Sequence, residues 1–267
     1  MKSIAQYTII TGASSGLGKE LALQCAAMKM NLILVALPGR GLQDVGKQLR
    51  AIYNVDVVAL ERNLTNDEDL QDIVNEARKF PINFLINNAG TGGSANFASA
   101  SLHSIDAILM LNVRATALLT RLLIPLLLEQ ERSYVLNISS LSAFSPIGFK
   151  TVYPASKAFI YSFSMGLREE FRDRNLSVSA SYPGPMITNA DTAGRIIQQG
   201  YKARLTLLPV SEIARIALQQ TLRGKATIIP GLLNRLNYRL MNIMPAALKT
   251  KMISDVVRKE VYSAQAA

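Results

Sequence analysis

The chain holds a single cysteine, Cys25, a single histidine, His103, and no tryptophan in 267 residues. One cysteine excludes a disulfide framework, and one histidine makes a His-based metal site implausible, so no metal is expected. A reducing, cytoplasmic setting is the expectation that goes with this cysteine count. No apolar stretch with a cleavage site opens the chain, because residues 7–10 run straight into a glycine-rich turn; a secretory signal is therefore not expected. Long hydrophobic runs are scarce too. The richest, residues 118–128, is interrupted by Arg121 and Pro125 and is expected to be too short to span a bilayer.

What remains is ample for a core. The chain is 49% hydrophobic and 18% charged, which excludes a disordered polymer and suits one sizeable α/β domain or two small ones. The net charge of +10 raises nucleic acid, an anionic membrane surface or acidic ligands as partners. It is unevenly spread. Residues 201–267 hold eleven Lys and Arg against Glu212, Asp255 and Glu260, so most of the excess lies in the C-terminal quarter. No zinc motif, helix-turn-helix pattern or aromatic-basic run accompanies it, and nucleic-acid binding is disfavoured.

Short apolar runs at 7–11, 31–36, 56–60, 83–87, 134–139 and 177–182 alternate with longer segments of helical spacing, such as Leu17, Leu21, Cys25 and Met28. Strands separated in this way imply βαβ units with right-handed crossovers. The expected fold class is α/β: a doubly wound parallel sheet in one domain, with a helical C-terminal extension. No linker, repeat or low-complexity segment interrupts it.

Between the first strand and the helix after it lies Thr11-Gly12-Ala13-Ser14-Ser15-Gly16-Leu17-Gly18. At a first βα junction, glycines in this order permit a tight turn, close backbone approach to a pyrophosphate and close helix–strand packing. The N–H groups of the helix N-terminus then favour phosphate. The fourth strand ends in Asn87-Asn88-Ala89-Gly90 and the sixth in Pro183-Gly184, both at the carboxyl edge where doubly wound sheets bind ligands.

Tyr153 and Lys157, in Tyr-Pro-Ala-Ser-Lys, share one helical face at i, i+4 spacing. A phenol of pKa ~10 is a poor base near neutrality, and a neighbouring ammonium favours its phenolate. Such a pair suits proton exchange with a carbonyl or alcohol oxygen. Nine tyrosines and twelve lysines give roughly 0.4 such pairs by chance, so the pair needs company. Ser140, after the fifth strand, offers a hydroxyl to the same oxygen, with Ser139 and Ser142 competing for that role.

Taken in order, these motifs, with Asn112 and Pro183-Gly-x-x-x-Thr188, resemble the short-chain dehydrogenase/reductase family in its compact single-domain branch. The resemblance covers roughly residues 5–190. It implies a Rossmann fold of three layers, α/β/α, in a single domain over 1–267. Within it, 1–190 would be the cofactor-binding and catalytic core, 186–208 the substrate loop or lid, and 231–267 the helical extension. Tyr153 would protonate the developing alkoxide or deprotonate the alcohol, and Lys157 would bind the nicotinamide ribose and depress the tyrosine pKa. Ser140 would orient the carbonyl, and Asn112 would help to hold a proton-relay water. The cofactor would lie along Gly12, Ser14, Ser15, Gly16, Leu17 and Gly18, then Asn88, Ala89 and Gly90, and along Pro183, Gly184 and Thr188 beside the nicotinamide.

Two departures concern the cofactor. The second strand ends in Ala36-Leu37-Pro38-Gly39-Arg40, with no carboxylate before Asp44 to bond a ribose 2′-OH. Leu37 stands where NADP-using relatives often carry arginine. Arg40 either reaches a 2′-phosphate or is an ordinary exposed loop arginine. On balance NADP(H) is favoured over NAD(H). Asn63-Leu64 lies where relatives usually have Asp touching the adenine, and the Asn63 amide oxygen is expected to accept from its amino group.

The expected activity is hydride transfer between the nicotinamide cofactor and a ketone or secondary alcohol, as a carbonyl reductase with a lipophilic substrate. The alternative is a catalytically silent dinucleotide-binding sensor or scaffold, against which the complete Asn112/Ser140/Tyr153/Lys157 set argues. The chain leaves little room for the separate substrate domain of an extended-family epimerase. A homodimer or homotetramer is implied by resemblance, through helices over 101–129 and 153–172; Leu118, Leu119, Leu122, Leu123 and Leu126 are either that interface or core. The basic C-terminal segment either meets a membrane surface or packs on the body with its cations in water.

Overall fold

The computed structural model describes residues 6–186 and 207–265, with side chains described as far as Tyr262. Thr188 and nearly all of the expected substrate loop lie outside the described residues. The strands are β1 (Tyr7–Thr11), β2 (Asn31–Ala36), β3 (Val57–Glu61), β4 (Ile82–Asn87), β5 (Ser133–Ile138), β6 (Leu176–Ser181) and β7 (Thr227–Ile228). The first six match the apolar runs of the sequence to within one residue. β7 has two residues, too short for any apolar alternation to announce it. All pairings are parallel, in the order β3-β2-β1-β4-β5-β6-β7. The chain therefore reverses its direction of travel across the sheet between β1 and β4, which opens a crevice at their carboxyl ends.

Successive residues of each strand feed opposite layers. Ile10, Leu32, Leu34 and Leu136 pack under α1 (Gly16–Ala27), α2 (Leu42–Tyr53) and α7 (Val210–Leu222). Ile9, Ile33, Val35 and Val135 pack under α3 (Asp67–Ala77), α5 (Thr116–Leu128) and α6 (Val152–Glu170). This is the three-layer arrangement expected of the sequence, with α8 (Leu232–Ile243) and α9 (Ala246–Gln265) added at the C-terminal end. Cys25 is fully buried, and burial pushes its thiol up to about 12, so it stays protonated.

One expectation is corrected. Residues 118–128 belong to a single helix over Leu102–Leu128, 27 residues long, which by length and composition alone is sufficient to cross a membrane. It comprises α4 (Leu102–Ile108), a wider π-helical segment over Leu109–Ala115, and α5. Pro125 does not break it, because Pro125 and Arg121 face solvent, where water replaces the hydrogen bond that proline cannot donate. The leucine stripe divides. Leu119 and Leu123 are core, Leu122 and Leu126 pack against it, and Leu118 is exposed. Ala117, Arg121, Ile124, Phe163, Leu167 and Phe171 line a groove of about 400 Å³ between α5 and α6.

A line of buried polar groups crosses the sheet just below the crevice. Asn87 Nδ2 donates to Thr120 Oγ1 at 2.9 Å and to Asn137 Oδ1 at 2.8 Å. Asn137 Nδ2 donates to Ser164 Oγ at 2.9 Å, and the Thr120 and Ser164 hydroxyls donate to the Thr116 and Ile160 carbonyls. The line ties α5, β4, β5 and α6 together, with both amide hydrogens of Asn87 used. Asn137→Ala leaves an Asn87 donor buried and unsatisfied, and is expected to cost about 2–3 kcal/mol. Urea denaturation of the cofactor-free protein measures this, and a loss below about 0.5 kcal/mol would contradict it.

Candidate active site

The glycine-rich turn is shaped by what a side chain would strike. Gly12 and Gly16 have φ of 66° and 51°, a region that L side chains avoid. A Cβ on Gly18 would lie 2.1 Å from the Gly12 carbonyl oxygen, so only glycine lets α1 come this close to β1. Half-buried Ser14 and exposed Ser15 precede α1, and no side chain caps its N-terminus. Its first turn contains no acidic residue, and Leu17 turns its side chain into the core. Free N–H groups, a positive dipole end and backbone without Cβ atoms form a cradle that fits a pyrophosphate.

The cradle is braced from β4. Asn88 Nδ2 donates to the Thr11 carbonyl at 3.0 Å, while Thr11 Oγ1 accepts from the N–H groups of Asn88 and Ala89, both at 3.0 Å. Asn88 is thus committed to holding two loops together. The loop continues over the first turn of α6. A Cβ on Gly90 would come 3.3 Å from Lys157 Nζ, and one on Gly92 would come 2.8 Å from the Tyr153 ring. Gly92 escaped the sequence reading, although the run Ala89-Gly90-Thr91-Gly92-Gly93 is a visible signal of close backbone approach.

Tyr153 and Lys157 stand one turn apart on α6, with Nζ 5.8 Å from the ring centroid. Lys157 is 6% exposed, and its ammonium donates to the Ile138 carbonyl at 3.0 Å. Burial lowers its pKa to about 8. Asn112 Nδ2 spends both hydrogens, on the Thr91 carbonyl at 2.8 Å and on Ser156 Oγ at 2.9 Å, and its Oδ1 accepts from the Thr91 N–H. Ser156 Oγ donates onward to the Tyr153 carbonyl. The Asn112 side chain therefore pins the π-helical segment to the glycine loop and to α6. Ser156, inside the Tyr-Pro-Ala-Ser-Lys motif, is a positioning residue that the sequence reading did not single out.

The three competing serines differ in their bonding. Ser139 is buried, and its hydroxyl donates to the Lys157 carbonyl at 2.9 Å. Ser142 Oγ is buried with no hydrogen-bond partner. Ser140 is half-buried at the start of a short 3₁₀ turn (Leu141–Phe144), where its oxygen accepts from the Ser142 N–H. No acceptor among the described residues takes its proton. Ser139 is thus committed, while Ser140 and Ser142 both keep a hydroxyl proton that no described residue takes.

After β2, where the sequence reading expects the adenosine, Leu37, Gly39 and Arg40 are exposed. Gly39 N–H donates to Glu61 Oε1 at 3.2 Å. Glu61 ends β3 beside Ala36 at the end of β2, a juxtaposition that spans strands and is invisible along the chain. Leu64 is buried in the core. The Asn63 amide oxygen is already taken, accepting from the Thr65 N–H at 3.1 Å and from Thr65 Oγ1 at 2.9 Å. What Asn63 has left toward a base is its N–H₂, a donor rather than the expected acceptor.

After β6, Pro183 is buried and its carbonyl accepts from the Leu141 N–H. Phe144 gathers the rings of Tyr161, Tyr182 and Tyr238, with centroids 5.5, 4.8 and 4.6 Å away. This apolar cluster adjoins the Ser140 turn. Thr188 lies outside the described residues.

Residues 6–198 match the family model for short chain dehydrogenases. A very-long-chain 3-oxoacyl-CoA reductase of Vanderwaltozyma polyspora is 33% identical over 183 residues, covering 64% of this chain and 53% of that protein. The chain thus matches about half the length of that relative. A short-chain dehydrogenase from Sphingobium yanoikuyae, solved in complex with NADPH, superposes with a TM-score of 0.76 at 30% identity. That match covers 91% of this chain and 97% of the other. A 7β-hydroxysteroid dehydrogenase shares the fold, with a TM-score of 0.85 at 17% identity over 94% of this chain and 98% of that one.

The buried ammonium has a pH signature. Lys157 binds its proton more weakly in the folded chain, at about 8, than in the unfolded one, near 10.5. Between those values the unfolded state holds more protons, so this group's contribution to stability rises with pH across the window. Below about pH 8 the full burial cost, about 3 kcal/mol, is present. Lys157→Met is therefore expected to be more stable than the wild type at pH 7.5, with the advantage shrinking toward pH 10.5. Urea denaturation of both proteins across that range measures the difference, and a gap independent of pH would contradict it.

Proposed function

The chain belongs to the short-chain dehydrogenase family of oxidoreductases, whose fold binds a nicotinamide dinucleotide, and on that premise we propose that it is a carbonyl reductase acting on a lipophilic ketone. The observation that carries this reading is the buried Lys157 one helical turn from Tyr153, held by the Ile138 carbonyl and by Ser139, the neighbour of Ser140 in the chain. The cradle of Gly12, Gly16 and Gly18, with Gly90 and Pro183-Gly184 further along, would hold the cofactor. When bound, the nicotinamide supplies the hydride.

The chain's own residues handle the proton. The Ser140 hydroxyl donates to the substrate carbonyl oxygen and orients it. As negative charge develops on that oxygen, the Tyr153 phenol delivers its proton there, and the Lys157 cation stabilises the phenolate that remains. Reversal of the same steps oxidises an alcohol. Lys157 stays protonated at neutral pH because its lowered value still lies near 8. Asn112 and Ser156 fix the geometry by joining the π-helical segment, the glycine loop and the backbone of Tyr153.

Support for a lipophilic substrate comes from the Phe144 aromatic cluster beside Ser140 and from the fatty-acyl relative's printed activity. Support for NADP(H) comes from the missing acid at the end of β2 and from the exposed Arg40 at the same loop. The groove between α5 and α6 is the surface on which we place self-association.

Tyr153→Phe is expected to lower turnover at least about a thousandfold while cofactor affinity stays within about threefold. A panel of short ketones, β-ketoacyl thioesters, steroids and long-chain ketones, followed by oxidation of NADPH, supplies the assay. Full activity of the variant, or a wild type that binds no dinucleotide, would overturn the mechanism. Binding without turnover on any substrate would favour a silent sensor. Steady-state kinetics with both reduced cofactors should favour NADPH, and a preference for NADH of about tenfold or more reverses that assignment.

A further inference from the structure

α8 and α9 have one face fastened to the active site and another left apolar in water. On the inner face, Asn234 is buried beside Gly184, where an added Cβ would come within 2.6 Å of the Asn234 Oδ1. Tyr238 packs on Phe144, Lys249 Nζ donates to the Phe144 carbonyl at 2.9 Å, and the Gly148 N–H donates to Ser254 Oγ at 2.7 Å. The outer face is the reverse. On α8, Leu232, Leu236, Leu240 and Ile243 form one helical stripe and are 73%, 51%, 58% and 82% exposed. On α9, Leu248, Met252 and Val256 recur every fourth residue and are 56%, 46% and 45% exposed. Together these two helices carry more than half of the large apolar side chains exposed among the described residues. A concentration of this kind marks an interaction surface.

Charge identifies the partner. Arg235 and Arg239 are exposed and, at about 100° per residue, stand along one edge of the α8 stripe. Lys251, Arg258 and Lys259 are exposed on α9, and the acidic residues of 231–262 are Asp255 and Glu260. An apolar helical face edged by arginine and lysine is suited to lie in the plane of an anionic lipid surface, with the long cationic side chains reaching up to the phosphates. A second copy is a poorer occupant. A twofold contact sets a face against itself, and here it would bring a cation excess against the same excess.

We propose that the outer face of α8 and α9 docks on an anionic phospholipid surface, with the leucine stripe in the headgroup–acyl boundary and Arg235 and Arg239 at phosphate level. On α8 the stripe lies opposite the face that holds Asn234 and Tyr238, so this docking stands apart from the reaction assigned to the crevice.

Co-sedimentation with phosphatidylcholine vesicles, with and without about 30% phosphatidylglycerol, tests it. The bound fraction is expected to be at least about fivefold higher on the anionic vesicles and to fall as salt is raised. The double variant Leu236→Gln/Leu240→Gln should reduce binding about tenfold, and Arg235→Gln/Arg239→Gln should remove most of the salt dependence. All four side chains are exposed, so melting temperatures within about 2 °C of the wild type are expected and confirm folding. Wild type remaining in the supernatant, equal partition onto both vesicle types, or undiminished binding of the leucine variant would each overturn the proposal. So would light scattering that shows the leucine variant dissociating an oligomer that itself ignores vesicles, which assigns the face to a second copy.

Discussion

A lysine ammonium buried without a carboxylate partner is the constraint around which this structure is arranged. Lys157 leaves water for a single strand carbonyl, that of Ile138, and no ion pair among the described residues compensates it. An uncompensated buried charge survives only where the surroundings hold it firmly. They do so here from three sides. β5 supplies the carbonyl, Ser139 fastens the lysine's own backbone, and the loop through Gly90 closes over Nζ.

Those supports are in turn held by the polar line beneath them. Asn87 and Asn137 sit near the ends of neighbouring strands and, through Thr120 and Ser164, reach two helices of one layer, α5 and α6. Hydrophobic burial alone would allow β4 and β5 to slide or splay by fractions of an ångström. Directional hydrogen bonds in a buried setting do not. The carboxyl edge of the sheet is therefore rigid at the place where Asn88, Gly90, Ser139 and Ser140 must be aligned. Position 157 also sets stability against chemistry, because an apolar residue there would relieve the burial cost and remove the cation beside Tyr153.

The parts of this site that were legible in the sequence are those written along one stretch of chain. The turn from Thr11 to Gly18 joins a strand to a helix directly, and Tyr153 and Lys157 lie one turn apart, so local periodicity brings each set together. What escaped depends on neighbours distant in sequence. Glu61 reaches Gly39 only because β3 lies beside β2, and Gly92 is confined only because α6 crosses beneath it. For Asn63 the residue type was visible but not its engagement. Its oxygen is consumed by Thr65 two residues on, a local turn that competes with any ligand for the same lone pairs. Arg121 and Pro125 suggested an apolar run too short for a bilayer, since sequence alone does not show that both lie on the solvent side of one longer helix.

That long helix changes its frame partway along. A π-helical segment holds about 4.4 residues per turn in place of 3.6, which is equivalent to accommodating one extra residue, so the side chains before and after it are rotated out of phase. Asn112 sits in this segment and faces inward to Thr91 and Ser156, while Thr116, Leu119, Thr120, Leu123 and Leu127 beyond it face the sheet. A single heptad or lipid-facing stripe cannot be maintained through such a phase shift. Although long enough to cross a bilayer, the helix works as two half-helices with separate addresses, one for the catalytic loop and one for the core.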